Sequence, residues 1–454
     1  MKKQILILIA LFIFAFSNAQ APAIQWQKTL GGTGTDYARS IQPTPDGGYI
    51  VTGYTNSTNG DVTGNHGNDD YWVVKLNPSG TIQWQKTLGG TGDDGAYSIQ
   101  PTTDGGYIVA GTTDSNDGDV TGNHGGFADY WVIKLNPSGT IEWQKPLGGT
   151  DYDLAYSIQP TPDGGYIVAG TTNSNDGDVT GNHGGPDCWV VKLNPSGTIE
   201  WQKTLGGTSD DDIQSIQPTP DGGYIVAGYT YSTNGDVTGN HGSYDYWVVK
   251  LNPSGTIQWQ KTIGGTGEDN AYSIQPTTDG GYIVAGYTWS TDGDVTGNHG
   301  GSDSWVVKLN PSGAIQWQKT IGGTGGDLAY SIQPTTDGGY IVAGSTYSND
   351  GDVTGNHGGS DSWVVKLGPD GLATSGFVKN NINIYPNPAR TLLNLQAANN
   401  TSINKIIITD LTGKIVKEQT QNTTTINVEN LAQGMYILEA YSGEQKMVSK
   451  FVKE

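Results

Sequence analysis

Along most of the chain the same order of apolar and polar positions returns. A run apolar at every position is followed by a second such run, and then by one that alternates. In the first copy these are YIV within Gly48–Thr55, WVV within Tyr71–Leu76, and Ile82–Leu88, where Ile82, Trp84 and Leu88 fall on one side and Gln83, Gln85 and Thr87 on the other. Side chains of a strand point alternately to its two faces, so the first two runs predict strands covered on both sides and the third a half-exposed strand. A shorter run, Ser40–Thr44, precedes them. The turns between are written as PDGG (Pro45 to Gly48) and NPSG (Asn77 to Gly80), with proline and glycine where tight turns take them.

The alternating run carries a tryptophan at Trp26, Trp84, Trp143, Trp201, Trp259 and Trp317, a period of 58 residues and once 59. Periods of this size signal solenoids, propellers or arrays, and four-stranded antiparallel sheets repeated radially make a β-propeller. The chain holds six sets of the first three strands, begins with a lone fourth-strand sequence at Ile24–Leu30, and has none after WVVKLGPDGLA. The expected fold is therefore all-β: a closed six-bladed propeller in which Ile24–Leu30 pairs with Trp363–Leu367 and removes an open edge. The alternative, an open solenoid, leaves both ends unpaired.

The recurring WQK, GG, DGGYIVAG and WVVKL resemble the tandem propeller-like repeats of exported proteins from Bacteroidetes-type bacteria, over roughly residues 24–370. That resemblance implies architecture and no particular activity. Around Ala373 to Asn381 the repeats stop. INIYPNPARTLLNL, IIITDLTGKIV, LAQGMYILEAYSG and KMVSKFVKE then suggest a small Ig-like β-sandwich. Tyr385-Pro386-Asn387-Pro388, Gly413-Lys414, Gly434-Met435-Tyr436 and the basic last strand resemble the type A C-terminal sorting domain of the type IX secretion system. The resemblance implies passage across the outer membrane with that machinery as partner, removal of the domain, and a secreted or surface-attached product.

The other end fits export. Two lysines, an apolar stretch from Ile5 to Phe16 and Ser17-Asn18-Ala19 read as a signal peptide cut after Ala19. The expected division is signal peptide 1–19, propeller 20–372, linker 373–381 and sorting domain 382–454, with no transmembrane segment in the mature chain. The lone Cys188 excludes an intramolecular disulfide. The formal charge of −21 concentrates in the middle of the chain, where 13 basic residues face 38 acidic ones. That field excludes nucleic acid as a partner and favours cations or basic surfaces.

Acidic loops follow two rules. An aspartate four residues before the first-strand serine recurs at Asp36, Asp94, Asp153, Asp211, Asp269 and Asp327. Between the second and third strands lies NDGDVTGNHGG or a near copy. Asp176, Asp178, Thr180 and Asp187 there stand at positions one, three, five and twelve around Gly181, the ligand spacing of an EF-hand calcium loop. Asp292, Asp294, Thr296 and Asp303 repeat it. Calcium is the one cofactor this spacing suggests, and plain Asx-type turns are the other reading. The six histidines, one per repeat, are too dispersed for a zinc site.

No acid, base or nucleophile set is recognisable, so no catalytic residue is assigned. The leading expectation is a non-catalytic binding or adhesion surface for an extracellular glycan or protein. The alternatives are a carbohydrate-active enzyme such as an endoglucanase-like glycoside hydrolase, using a carboxylate pair, and a structural surface-layer component. Symmetry is broken at Ser209 to Asp212, Phe127-Ala128, Trp289, Glu142 and Glu200.

Overall fold

A computed structural model describes residues 25–370, 382–397, 402–410, 414–420, 423–442 and 445–454, which divide into two compact units. The signal peptide, the linker at 373–381 and Gly413 lie outside the described residues.

The repeat unit is built of antiparallel sheets whose strands pair in chain order. The first comprises β1 (Asp36–Pro43), β2 (Tyr49–Thr55), β3 (Asp70–Leu76) and β4 (Ile82–Leu88). The second comprises β5 (Asp94–Pro101), β6 (Tyr107–Thr113), β7 (Asp129–Leu135) and β8 (Ile141–Leu147). In the third are β9 (Asp153–Pro160), β10 (Tyr166–Thr172), β11 (Asp187–Leu193) and β12 (Ile199–Leu205). The fourth has β13 (Asp211–Pro218), β14 (Tyr224–Thr230), β15 (Asp245–Leu251) and β16 (Ile257–Ile263). The fifth has β17 (Asp269–Pro276), β18 (Tyr282–Thr288), β19 (Asp303–Leu309) and β20 (Ile315–Ile321). The sixth has three strands, β21 (Asp327–Pro334), β22 (Tyr340–Thr346) and β23 (Asp361–Leu367).

The first strand of each sheet begins four residues before the Ser40-type position expected from the apolar pattern. The aspartate explains the extension: Asp36 accepts hydrogen bonds from the hydroxyls of Thr55 and Ser57, so pairing with β2 continues to Asp36↔Thr55. Each first strand carries a bulge, between Ala38 and Ser40 in β1. The glutamine of the alternating run is more than a solvent-facing residue, since Gln85 Oε1 accepts from the indole N–H of Trp72 at 2.9 Å, as Gln144 does from Trp131 at 2.7 Å. In the PDGG turn Asp46 receives the buried Lys75 ammonium at 2.8 Å.

Successive sheets stack face on face, β1 and β2 on β5, β5 and β6 on β9, and so on to β21. Ile50, Tyr71 and Val73 of the first sheet share a core with Ala96, Ile99, Val109 and Trp131 of the second. The buried Tyr71 hydroxyl donates to the Trp131 carbonyl across that interface at 2.9 Å, which removes the cost of an unpaired polar group. Tyr130 to Trp189 and Tyr246 to Trp305 repeat the bond. Each fourth-strand tryptophan reaches the next sheet, Trp84 lying 5.8 Å from Tyr107.

The closed ring expected from the strand count is not found. Packing begins at the first sheet and stops at the sixth. Ile41 is 56% exposed where its counterparts Ile99, Ile158, Ile216, Ile274 and Ile332 are fully buried, and Val364 is 63% exposed where Val73 is fully buried. Nor does the N-terminal segment join β23. Trp26 sits 5.6 Å from Tyr49, and Trp26 and Leu30 pack on the core of the first sheet. The segment is held to the first sheet by the contact that each fourth-strand tryptophan makes with the sheet after it, and because the first sheet does not pack on the sixth, the segment is not brought beside β23.

The second unit has a three-stranded sheet, β24 (Ile382–Tyr385), β25 (Leu392–Ala397) and β28 (Thr425–Asn427). Its companion contains β26 (Lys405–Thr409), β27 (Ile415–Gln419), β29 (Gly434–Ser442) and β30 (Gln445–Lys453), in the order β27-β26-β29-β30. Leu393, Leu395, Ile406, Ile408, Leu438 and Phe451 fill the core between them.

Candidate functional site

The connection between the second and third strands of a sheet and the connection leading into its first strand lie together, laced by hydrogen bonds. Thr150, just before β9, donates its N–H and hydroxyl to Asp176 at 2.8 and 2.9 Å. Asp153 accepts from Gly149 N–H and the Ser174 hydroxyl, each at 2.8 Å, and from the Thr172 hydroxyl. The six first-strand aspartates are therefore acceptors that bind the loops to the sheet.

The positions of the expected calcium loop take part in the same lacing. Asp176 is held by Thr150, and the backbone N–H of Asp178 donates to Gly148 O at 2.8 Å, its carboxylate lying 3.5 Å from His124 Nε2 of the preceding sheet. Thr180 accepts from Gln202, and its carbonyl from the Thr204 hydroxyl at 3.2 Å. Asp187 accepts from the His183 N–H at 2.9 Å and lies 2.6 Å from His183 Nδ1. In the fifth sheet Asp292 is held by Thr266, Asp294 N–H by Gly264 O, Thr296 by Gln318 and Asp303 by His299. Among the described residues no three His, Cys, Asp or Glu side chains are placed to share an ion.

Each histidine pairs with a third-strand aspartate, and in the first five sheets that aspartate is packed against the first-strand aspartate of the next sheet. A Cβ placed on Gly206 would stand 2.6 Å from Asp211 Oδ2 and 2.7 Å from Asp187 Oδ1, so both carboxyls close over a residue that has to be glycine. Desolvation pushes Asp153, Asp187 and Asp245 up to about 6. A raised folded-state pKa favours the protonated folded form. The stability it contributes is fully present below the unfolded value near 4 and is lost as pH rises through about 6. Asp163, held at about 2 because hydrogen bonds from Lys192, Thr161 and Gly165 outweigh its desolvation, weakens the fold only below about pH 4. Scanning calorimetry is expected to show a melting temperature several degrees higher at pH 5.5 than at pH 7.5.

Where the repeats differ, a cleft opens. About 330 Å³ is enclosed between the third and fourth sheets by Tyr152, Tyr156, Asp210, Asp212, Tyr229 and Tyr244, with Leu154 and Asn173. Tyr244 stands nearly perpendicular to Tyr229 at 5.4 Å and tilted to Tyr231 at 5.1 Å, and its hydroxyl donates to Asp210 at 3.2 Å. Asp212 accepts from Gln214 at 2.7 Å and from the Tyr229 hydroxyl at 3.2 Å. Desolvation pushes its carboxyl up to about 6. The positions equivalent to Asp212 hold Tyr37, Gly95, Leu154, Asn270 and Leu328, so this acid is particular to the fourth sheet. Tyr152 also stacks on Phe127 at 4.4 Å and borders a second cleft with Tyr54, Asp69, Tyr97 and Asp114.

Of the irregularities visible in the sequence, the Ser209–Asp212 cluster and Phe127 lie at or beside this cleft. Trp289 does not line it, but occupies in the fifth sheet the position of Tyr231 in the fourth and Tyr347 in the sixth; the three rings are 52, 48 and 60% exposed. Glu142 and Glu200 pair with Lys134 and Lys192 at 3.0 and 2.9 Å, away from the loops. The cleft tyrosines were not singled out from the sequence; the change from asparagine or aspartate at positions 56, 114 and 173 to an aromatic residue at 231, 289 and 347 marks instead the row of exposed rings.

In the second unit Asn387 ties the Tyr385-Pro386-Asn387-Pro388 segment to β30, donating to Lys450 O at 3.2 Å and accepting from Val452 N–H at 2.9 Å. Tyr436 stacks on Phe451 at 5.6 Å and donates to Ala432 O, and Gly434 opens β29 opposite Lys453.

Residues 383–454 match the family of secretion system C-terminal sorting domains. The chain is accordingly exported by the type IX route to the cell surface or extracellular space. It is 23% identical to the regulatory protein FlaEY of Caulobacter vibrioides over 390 residues, 75% of this chain and 40% of that protein. Among solved structures it is similar to PorZ, a surface component of the type IX secretion system of Porphyromonas gingivalis (12% identity, TM-score 0.33, 94% of this chain and 61% of that one). It is also similar to the extracellular domain of a putative one-component system of B. thetaiotaomicron (12%, TM-score 0.32, 92% and 57%). The chain thus covers less than two thirds of each of these three proteins.

Proposed function

We propose that the repeat unit is a non-catalytic binding surface for an extracellular polysaccharide, uncharged or bearing amino groups. The observation that carries this reading is the cleft of Tyr152, Tyr229 and Tyr244 beside Asp210 and Asp212. Tyrosine rings offer flat apolar faces to the C–H faces of sugar rings, and a carboxylate can accept from two neighbouring hydroxyls. The exposed rings of Tyr231, Trp289 and Tyr347, one per sheet, would extend the surface for a polymer. The excess of acidic residues disfavours anionic glycans.

A second reading has one observation behind it. Asp212, with its carboxyl pushed up to about 6 beside Asp210, meets the first requirement of an acid in glycoside hydrolysis. A glycan array followed by calorimetry on the best ligand, with reducing ends assayed in parallel, separates the two. Binding without release of reducing ends is expected, with Tyr244→Ala weakening it about tenfold, the equivalent of one lost stacking contact. Absence of binding across the array sinks the proposal, and release of reducing ends that Asp212→Asn abolishes establishes the hydrolase.

A further inference from the structure

The two ends of the sheet stack are the two halves of one interface that the chain makes five times internally. In each internal copy the first-strand isoleucine and the residue three before it, alanine except for Ile213 in the fourth sheet, are buried against the second and third strands of the sheet before, as Ile99 and Ala96 are against Ile50 and Val73. At the start of the stack the corresponding Ile41 is 56% exposed, and at its end Val364, the counterpart of Val73, is 63% exposed. Among the described residues the sixth sheet also has no fourth strand, while residues 25–30 repeat the sequence of the same positions in β4 and pair with no strand.

We propose that the first sheet of one copy docks on the sixth sheet of a second copy, so that the protein assembles head to tail. The internal interface supplies the geometry. β4 lies beside β3 while its Trp84 touches Tyr107 of the following sheet. Trp26 already touches Tyr49 in the same way, so Gln25–Leu30 arrives with the first sheet beside β23 of the receiving copy and becomes its fourth strand. The contact covers the open edge of β23 and buries Ile41 against Val364. It is heterologous, each copy keeping one free end, so growth continues in a line unless the rotation between copies closes a ring. Each copy carries a formal charge of −21, so assembly strengthens with salt.

Sedimentation of the full chain over a concentration series tests this, with Ile41→Glu and Val364→Glu as variants. Both residues are exposed, so both variants are expected to keep the wild-type melting temperature. The wild type is expected to form oligomers that lengthen with concentration, whereas each variant alone stays monomeric. Mixing the two leaves one sound head and one sound tail, and is expected to give dimers and nothing larger. A wild type monomeric at every concentration overturns the proposal, as do variants that associate like the wild type, or a mixture with no dimer.

Discussion

Gly228→Ala is expected to cost about 4 kcal/mol or more, at the far end of what single substitutions do. Gly228 lies in β14 opposite the bulge of β13, and a Cβ there would stand 1.8 Å from the Asp212 carbonyl oxygen and 2.8 Å from the Ile213 Cα. Both are backbone atoms, so no side-chain rotation relieves the clash. The requirement is common to the repeats: the same approach recurs at Gly53, Gly111, Gly170, Gly286 and Gly344, at 1.8 to 2.0 Å from the facing carbonyl. Gly95 is the control, for its Cβ would meet nothing closer than 3.7 Å, and Gly95→Ala is expected to be nearly neutral. Urea unfolding of the two variants measures the difference. Because the bulge also positions Asp212, Gly228→Ala is expected to lose ligand binding together with stability.

Deletion of residues 382–454 is expected to abolish export, leaving the chain behind the outer membrane. The match over 383–454 identifies the segment that the secretion machinery reads. Within it, the two hydrogen bonds that Asn387 makes to β30 fix the Pro386-Asn387-Pro388 segment on the last strand, so Asn387→Ala is expected to reduce export while the repeat unit stays folded. Immunoblots of medium, surface and periplasmic fractions give the result. Undiminished surface protein after the deletion would mean that export uses another route.

The strand sequence of each sheet was legible because burial on two faces writes a continuous apolar run and burial on one face writes alternation. What local pattern could not supply was the relation between the two ends of the array. The sequence of Ile24–Leu30 is that of a fourth strand, and a fourth strand has two partners, the third strand beside it and the sheet that follows it. Strand counting considers the first, whereas Trp26 on Tyr49 satisfies the second. The loop aspartates show the same limit. The spacing of Asp176, Asp178, Thr180 and Asp187 matches that of a cation loop, and it carries no sign of the donors that three of these positions face: His183 within the same loop, and Thr150 and Gln202, which the pairing of one sheet brings to it. The cleft depends on repeats that differ: the break in symmetry at Ser209–Asp212 marks its acidic side, whereas Tyr244 carries no mark in the repeat pattern.

The most direct measurement is a crystal structure of the exported protein soaked with the tightest-binding oligosaccharide from the array. The expected result is a sugar ring lying on Tyr244 or Tyr229, with hydroxyls bonded to Asp210 or Asp212 and the glycosidic bond intact. A saccharide held elsewhere on the repeat unit with the tyrosine cleft empty, or one cleaved beside Asp212, would contradict the assignment of this cleft as a non-catalytic glycan site.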